Sequence, residues 1–233
     1  MPYTQKQNDD VITARAKLNQ IIDKDSFREL DVKQSSSNYL YFDGYQEKLK
    51  KAEIKSKEKE AIISGFAKII GKSCIIFILE PLFMMGTMGY IVGRKITHAF
   101  DIATRKKLPI IAINSSGGAR IQEGIFSLVQ MANTAGAVYR HSCKGLLYIS
   151  IICDPTFGGV AASYASLGDI IIAEENARFG FTGKSIIQET THEHLPEQFQ
   201  TASYAKNHGM VDMIVKEEEL RQVLSKLLLM HSK

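Results

Sequence analysis

A regular alternation of short apolar runs and helix-length amphipathic segments constrains this fold more than any other sequence feature. From residue 90 to residue 173 the pattern predicts, in order, a helix over 90–105, a strand over 109–113, a helix over 122–139, a strand over 146–152, a helix over 159–167 and a strand over 170–173. Such alternation is typical of right-handed crossovers and a largely parallel sheet. The strands are apolar throughout, as expected for strands buried on both faces. The sequence therefore predicts an α/β domain.

The segments outside this core divide the chain into two predicted regions. Residues 1–60 are polar and helix-prone, and we expect a helical N-terminal arm that packs on the main domain, residues 61–233. In the arm, Val11, Ala14, Leu18 and either Ile21 or Ile22 recur at helical spacing, and a second helix over 45–59 should bury Tyr45, Leu49 and Ala52. Apolar runs over 61–70 and 73–79 predict a hairpin that turns at Gly71-Lys72. An amphipathic helix is predicted over 217–230.

Charge and hydropathy exclude several classes of protein. The net charge is only +4, and we expect the six lysines between residues 48 and 59 to be neutralised on a solvated helix face by Glu47, Glu53, Glu58 and Glu60. No basic block is interleaved with aromatic residues, so no nucleic-acid partner is expected. Strand-sized apolar runs and the lack of a basic-then-apolar opening predict a cytoplasmic protein with no membrane segment or signal peptide.

The three cysteines predict no metal site. Cys74, Cys143 and Cys153 are widely spaced, and no Cys-x-x-Cys pair is present. This spacing provides neither a zinc ribbon nor a disulfide framework. We expect all three to be small core residues in a reducing compartment, and we expect no bound zinc.

Glycine-containing turns mark the candidate site. They lie at residues 84–89, 115–120, 156–159 and 180–183. Two of them, at Gly117-Gly118 and Gly158-Gly159, follow a predicted strand and open a predicted helix, so backbone N–H groups are exposed at the turn. Parallel strands would place both sets of donors at one edge of the sheet, where ligands bind in such folds.

Residue patterns alone leave the ligand of these turns open. The phosphate-loop pattern and the dinucleotide pattern are both absent. Paired N–H donors can instead hold the oxygen of a thioester as it becomes an enolate. The alternative is that the glycines only permit tight strand-to-helix turns.

Four motifs in order resemble a known enzyme family. Residues 114–123 read NSSGGARIQE, which resembles the SGGARMQE signature of the carboxyltransferase β subunits of bacterial acetyl-CoA carboxylase. Residues 154–169 read DPTFGGVAASYASLGD and are similar to that family's DPTxGGVxASxAxLGD segment, while GFTG at 180–183 and HGMVD at 208–212 match its GFxG and HGxVD elements. The similarity runs from about Ala14 to the C-terminal helix. It implies the crotonase-like (ClpP/crotonase) ββα superhelix.

The resemblance implies a function and a set of site residues. Family members transfer a carboxyl group from carboxybiotin to acetyl-CoA, giving malonyl-CoA; carboxybiotin breaks down to CO2 and a biotin anion that removes the α-proton, and the enolate attacks CO2. The oxyanion glycines of the family fall on Gly158 and Gly159. The expected acyl-CoA pocket comprises Gly117, Gly118, Ala119, Arg120, Gly86, Phe157 and Gly183.

The resemblance also implies partners. These are a carboxyltransferase α-type subunit in an α2β2 assembly, a biotin carboxyl carrier protein that bears the biotin, and a biotin carboxylase. Two features depart from the family: its four-cysteine zinc ribbon is missing, and Met85 replaces a glycine of its MGGSMG turn. A non-catalytic paralogue that assembles with or regulates a carboxylase is therefore an alternative.

Several side chains have competing interpretations. Arg120 and Glu123 are expected to orient their loop and pair with neighbours rather than to catalyse. His192, Glu193 and His194 are expected to be exposed, because residues i and i+2 do not share a helix face. Phe126, Met131 and the other large apolar residues of the 122–139 helix are expected to lie in the core.

A serine hydrolase of the Clp-protease type is the remaining alternative. Ser163 follows a glycine turn, as the nucleophile does in those enzymes. A triad also requires a base, and the nearest downstream histidine, His192, lies beyond two further predicted elements.

Overall fold

A seven-stranded sheet with its strands in chain order forms the centre of the computed structural model, which describes residues 12–231. The strands are β1 (Arg28–Glu29), β2 (Ile62–Ile69), β3 (Lys72–Leu79), β4 (Ile110–Ser116), β5 (Tyr148–Thr156), β6 (Ile170–Glu174) and β7 (Met213–Val215). Strands β1 to β3 pair antiparallel, and β3 to β7 pair parallel. The predicted hairpin and the predicted parallel α/β sheet are both confirmed.

Helices cover both faces of the sheet. They are α1 (Ala14–Ile21), α2 (Tyr45–Ser56), α3 (Tyr90–Lys106), α4 (Ile125–Ser142), α5 (Gly158–Ala161), α6 (Lys184–Thr191), α7 (Ala202–Asn207) and α8 (Leu220–Met230). One core lies between the sheet and α2, α3, α4 and α7. A second core lies on the other face, beneath α1 and α8. The alternating side chains of the central strands are buried in one core or the other, which explains their continuous apolar character.

The N-terminal segment packs closely on the sheet. Helix α1 begins after Thr13, whose hydroxyl accepts a hydrogen bond from the backbone N–H of Ala16 (3.2 Å). It buries Ala14, Leu18 and Ile21, as predicted, while Val11 lies outside the described residues. Helix α2 buries the predicted residues Tyr45, Leu49 and Ala52.

Three structural expectations are wrong in detail. The predicted 159–167 helix is the four-residue α5 followed by a separate 3₁₀ turn at 164–166. Cys143 is exposed just after α4, whereas Cys74 and Cys153 are buried. Phe126, which was expected in the core, is 43% exposed on α4.

Three more apolar residues of α4, Ile125, Leu128 and Val129, are exposed beside Phe126, although a helix with so many apolar residues normally lies in a core. This exposed apolar surface of α4, residues 125, 126, 128 and 129, is called the α4 face below.

None of the helices within residues 12–231 is both long enough and apolar enough to cross a membrane.

Candidate active site

The ends of β4 and β5 place two glycine turns in contact. Ser116, the last residue of β4, pairs with Thr156, the last residue of β5. The turns that follow contain Gly118, with φ +109°, and Gly158, with φ +57°. Residues that have a Cβ atom rarely adopt these positive φ angles. A Cβ on Gly118 would lie 3.1 Å from the Cα of Gly158. Glycine at both positions lets the two backbones approach this closely.

Backbone hydrogen bonds join all four glycine turns at this edge. The N–H of Gly117 donates to the carbonyl of Met85, that of Phe157 donates to Ser116, and that of Gly158 donates to Phe181, each at 2.9 Å. The structure therefore brings together the four turns that the sequence singles out. The contact between residues 117–119 and 157–159 is called the cradle below.

Two N–H groups of the cradle are available to a ligand. The Gly158 N–H is engaged by Phe181, and the Gly117 and Gly118 N–H groups donate to Met85 and to the Ser116 hydroxyl. The N–H groups of Ala119 and Gly159 have no acceptor in the part of the chain that the structure describes. A Cβ on Gly159 would lie 3.3 Å from the Cβ of Ala119, so the two residues are adjacent across the cradle. This pair, one donor from each turn, can hold a carbonyl oxygen that gains negative charge.

The other predicted site residues surround the cradle in different ways. Gly86 is buried with φ +63°, and a Cβ there would meet the carbonyl oxygen of Ser115, so its surroundings are backbone. Phe157 is 7% exposed. Gly183 is partly buried and precedes α6, two residues after the Phe181 carbonyl that engages Gly158.

Arg120 directly follows the 117–119 segment of the cradle, and its side chain is completely buried. Its guanidinium donates to Glu60 Oε1 (2.7 Å), to the carbonyl of Thr87 (2.9 Å) and to Ser36 Oγ (3.0 Å), and it contacts Glu123 Oε1 at 3.2 Å. All of these partners are protein groups, so the expectation that Arg120 pairs with its neighbours is confirmed.

Charge compensation explains how Glu60 remains ionised in the core. Burial alone would raise the pKa of the Glu60 carboxyl, but the charge and hydrogen bonds of Arg120, with a hydrogen bond from Ser36, lower it below its usual value. Burial raises the pKa of the Tyr45 hydroxyl, which donates to Glu123 Oε1 (2.6 Å). We call Arg120, Glu60, Glu123, Tyr45 and Ser36 the Arg120 network.

The Arg120 network ties distant segments to the cradle. Glu123 accepts a hydrogen bond from the backbone N–H of Tyr90 (2.6 Å) at the start of α3, next to the 84–89 turn. Ser36 and Tyr45 come from the N-terminal segment. Sequence reasoning did not find Ser36, Tyr45 or Glu60 as site-supporting residues. The only available signal was an Arg and a Glu three residues apart in a glycine turn, with no indication of their distant partners.

Among residues 12–231 we find neither an activated serine nucleophile nor a metal centre. The Ser163 hydroxyl is buried and donates to the carbonyl of Gly159 (2.6 Å), and no hydrogen bond joins Ser163 to a histidine within residues 12–231. His192 directly follows α6 and is exposed. Across the same residues, no group of three or more His, Cys, Asp or Glu side chains is placed to hold a metal ion.

Comparison with known proteins agrees with this geometry. Residues 6–231 match the family described as "Carboxyl transferase domain". The chain belongs to this family. It is 47% identical over 220 residues to the acetyl-coenzyme A carboxylase carboxyl transferase subunits beta/alpha of Natranaerobius thermophilus, covering 94% of this chain but 36% of that relative. It is 47% identical to the subunit beta of Ruminiclostridium cellulolyticum and 46% identical to that of Alkaliphilus oremlandii, covering 77% and 84% of those proteins and 95% and 99% of this chain.

Solved structures confirm the fold of this carboxyl transferase domain. A transcarboxylase 12S structure with methylmalonyl-coenzyme A bound superposes with a TM-score of 0.78 at 25% identity, over 93% of this chain and 41% of that chain. A Pseudomonas malonate decarboxylase hetero-dimer superposes with a TM-score of 0.74 at 19% identity, over 94% of this chain and 86% of that chain. The predicted family and the crotonase-like fold are thus both confirmed.

Proposed function

We propose that this chain is the acyl-CoA-binding subunit of a biotin-dependent carboxyltransferase that converts acetyl-CoA to malonyl-CoA. One observation carries the proposal: Ala119 and Gly159 are adjacent residues where two parallel strands end, and the N–H of each has no acceptor among the described residues. Relatives that are 46–47% identical bear the name of the acetyl-CoA carboxylase carboxyl transferase.

In this proposal, the two N–H groups hold the thioester oxygen of acetyl-CoA. When the α-proton leaves, that oxygen becomes an enolate oxygen and accepts stronger hydrogen bonds, so the cradle binds the transition state better than the ground state. When bound, carboxybiotin on a carrier protein supplies the carboxyl group and the base. The chain contributes positioning and backbone dipoles, which explains why the site is built of glycines rather than of titratable side chains.

The oxyanion donors proposed here differ in one residue from those expected from the sequence. Gly159 keeps its role, but Ala119 takes the place of Gly158, because the Gly158 N–H already donates to Phe181. We propose that Gly158, Gly117, Gly118 and Gly86 shape the cradle through their backbone conformations. Arg120 supports the turn through its buried ion pairs with Glu60 and Glu123.

We further propose that an α-type subunit completes the active site. The α4 face exposes Ile125 at 62% and Leu128 at 53%, and it lies on the helix that follows the 117–123 segment. Apolar patches of this kind on one helix are typical of subunit contacts. In the Natranaerobius relative, the name "subunits beta/alpha" describes one polypeptide of which this chain matches 36%. An α2β2 assembly, a biotin carboxyl carrier protein and a biotin carboxylase complete the proposed system.

Reconstitution tests the proposed function directly. We expect the purified chain to have little or no carboxyltransferase activity, because the cradle provides donors for one oxyanion only. Co-expression with the α-type subunit should give malonyl-CoA decarboxylation that depends on added biotin or biocytin. Robust turnover by the chain alone would contradict the partner requirement. Acetyl-CoA binding without turnover by the complex would favour the non-catalytic paralogue.

We also expect the protein to carry no structural zinc. Of the three cysteines, Cys74 and Cys153 are buried in the second core, and Cys143 is exposed at the other end of α4 from the cradle. Elemental analysis of a chelator-washed sample should find far less than one zinc per chain. Stoichiometric zinc that survives washing would show that this expectation is wrong.

A further inference from the structure

The Phe181 carbonyl determines which N–H groups of the cradle remain available, because it accepts the hydrogen bond of the Gly158 N–H (2.9 Å). Phe181 does not hold this position through its own side chain, which is 66% exposed. Helix α6, which begins three residues later, buries none of its residues. Side-chain burial therefore contributes little to holding residues 180–184, which are called the Phe181 turn below.

Backbone pairing holds the chain only as far as Gly180. The Gly180 N–H donates to the carbonyl of Thr156 (3.3 Å), and the Phe179 N–H donates to the carbonyl of Gln200 (2.9 Å). Beyond Gly180, the N–H groups of residues 181–183 have no acceptor within residues 12–231. The Phe181 turn therefore needs a support other than strand pairing.

The side chain of Gln200 supplies this support. Its Nε2 donates to the carbonyl of Thr182 (2.6 Å), and its Oε1 accepts a hydrogen bond from the backbone N–H of Lys184 (3.1 Å). Gln200 is buried, and a Cβ on Gly180 would collide with its amide, so the turn packs directly against that group. In the part of the chain that the structure describes, no other side chain forms a hydrogen bond to the backbone of residues 180–184.

Gln200 also has a strained backbone. Its φ of +68° lies in the left-handed region, which residues with a long side chain rarely occupy. Glycine would adopt this conformation without strain. A buried glutamine at a position that favours glycine indicates that its amide has a role.

We propose that Gln200 is a positioning residue for carboxyl transfer: its amide holds the Phe181 turn, and the Phe181 carbonyl then fixes the Gly158-Gly159 segment of the cradle. This inference rests on the proposed function. Release of the Gly158 N–H would leave the neighbouring peptide group, which carries the Gly159 N–H, freer to rotate. It would also present a second donor that competes for the thioester oxygen. Oxyanion stabilisation depends on donors that are fixed in advance, so release of the turn should slow the reaction.

Replacing Gln200 with Met removes the amide and nearly preserves the length of the side chain. In the reconstituted complex, Gln200→Met should lower kcat by about 10- to 100-fold, the effect of a small misplacement of catalytic groups, while the KM for malonyl-CoA changes less than about threefold. In the full chain, hydrogen exchange of the Gly158 amide should become at least about tenfold faster. The Phe157 amide, which donates to Ser116 (2.9 Å), should exchange as in the wild type.

Gln130 provides a matched control on α4. It is buried, its amide donates to the carbonyl of Phe126 (3.0 Å), and it accepts a hydrogen bond from Asn133 (3.3 Å). Gln130→Met therefore removes as many hydrogen bonds as Gln200→Met, but it should leave kcat within about twofold of wild type and the exchange of the Gly158 amide unchanged.

A second variant covers the case in which Gln200→Met does not fold. Gln200→Gly removes the same amide and relieves the strained backbone, so it should fold and show the same loss of kcat and the same faster exchange of Gly158.

Hydrogen exchange separates failure of this inference from failure of the proposed function. Unchanged exchange of the Gly158 amide in the Gln200 variants would overturn the inference whether or not the complex turns over. Faster exchange with a normal kcat would also overturn it, because the contact would then play no part in positioning. A raised KM with a normal kcat would instead assign Gln200 to substrate binding. If the wild-type complex does not turn over malonyl-CoA, the proposed function fails, and the exchange of Gly158 still shows whether Gln200 holds this segment.

Discussion

Replacing Gly159 with Val should reduce the kcat of the reconstituted complex by at least about 10² to 10³, the usual effect of losing one oxyanion donor. The new side chain would crowd the cradle, since a Cβ alone would lie 3.3 Å from that of Ala119 and 3.0 Å from Met131 Sδ. The two γ-methyl groups would then obstruct the approach of a thioester oxygen to the N–H groups. We expect the loss in kcat to exceed any change in the KM for malonyl-CoA.

The fold should tolerate this substitution. Gly159 is not among the residues with positive φ, so Val can adopt its backbone conformation, and the nearest obstacle is the flexible Met131 side chain. If the glycines served only to permit a tight turn, the constrained position would be Gly158, where φ is +57°. We expect a melting temperature within a few degrees of wild type, at roughly 2–4 °C per kcal/mol of lost stability.

A matched pair of alanine variants provides the control. Gly136 lies in α4, where a Cβ would make an ordinary contact of 3.5 Å with Arg140. Gly136→Ala should keep full activity and gain about 0.5–1 kcal/mol of stability, because alanine replaces glycine within a helix. Gly159→Ala should lose activity without such a gain. A Gly159→Val variant that melts early yet turns over normally would assign Gly159 a structural role and remove the main physical support for the function.

The sequence predicted the elements of this fold well because most of its signals are local. The apolar runs of β3, β4 and β5 and the turn at Gly71 depend on adjacent residues, and the structure confirms them. Strands β1 and β7, of two and three residues, were missed because strands this short have no detectable periodicity. Their pairing depends on neighbours far away in the chain.

The sequence predicted where the site lies, but it did not predict which backbone N–H groups of the cradle are available to a ligand. The Gly117-Gly118 and Gly158-Gly159 turns were correctly placed at one sheet edge, because the carboxyl ends of parallel strands meet there. Which N–H groups are available depends on a carbonyl 23 residues away, that of Phe181, which engages Gly158. A residue pattern contains no information about that contact.

The exposure of apolar side chains on α4 also could not be predicted from the sequence. Phe126 and Leu128 belong to a helix with apolar residues around most of its circumference, and such a pattern normally indicates a buried helix. The pattern cannot distinguish burial within one chain from burial against another. The exposed α4 face is consistent with the second case, which is the partner that we propose.

Replacing Arg120 with Met should destabilise the protein by about 3–5 kcal/mol, because it leaves the Glu60 carboxylate buried without a counter-charge. This corresponds to a fall in melting temperature of roughly 6–20 °C. The same substitution at a surface ion pair should cost much less stability. Arg140 is about half exposed and pairs with Asp101, so Arg140→Met should lower the free energy of unfolding by less than about 1 kcal/mol. Thermal and denaturant unfolding of the two variants measures the difference.

The pH dependence identifies the cause of the Arg120 effect. In the wild type the folded-state pKa of Glu60 is lowered, so its contribution to stability is present above the unfolded-state pKa and is lost as pH falls through the folded-state value. In Arg120→Met the burial of Glu60 raises the folded-state pKa instead, so the penalty is largest at neutral pH and is relieved on acidification. The stability difference between the two proteins should therefore shrink from pH 7 towards pH 4.5, and Arg120→Met/Glu60→Gln should recover part of it at pH 7. A difference that is independent of pH and unchanged in the double variant would mean that Arg120 stabilises the turn through packing on Phe83 and not through its charge.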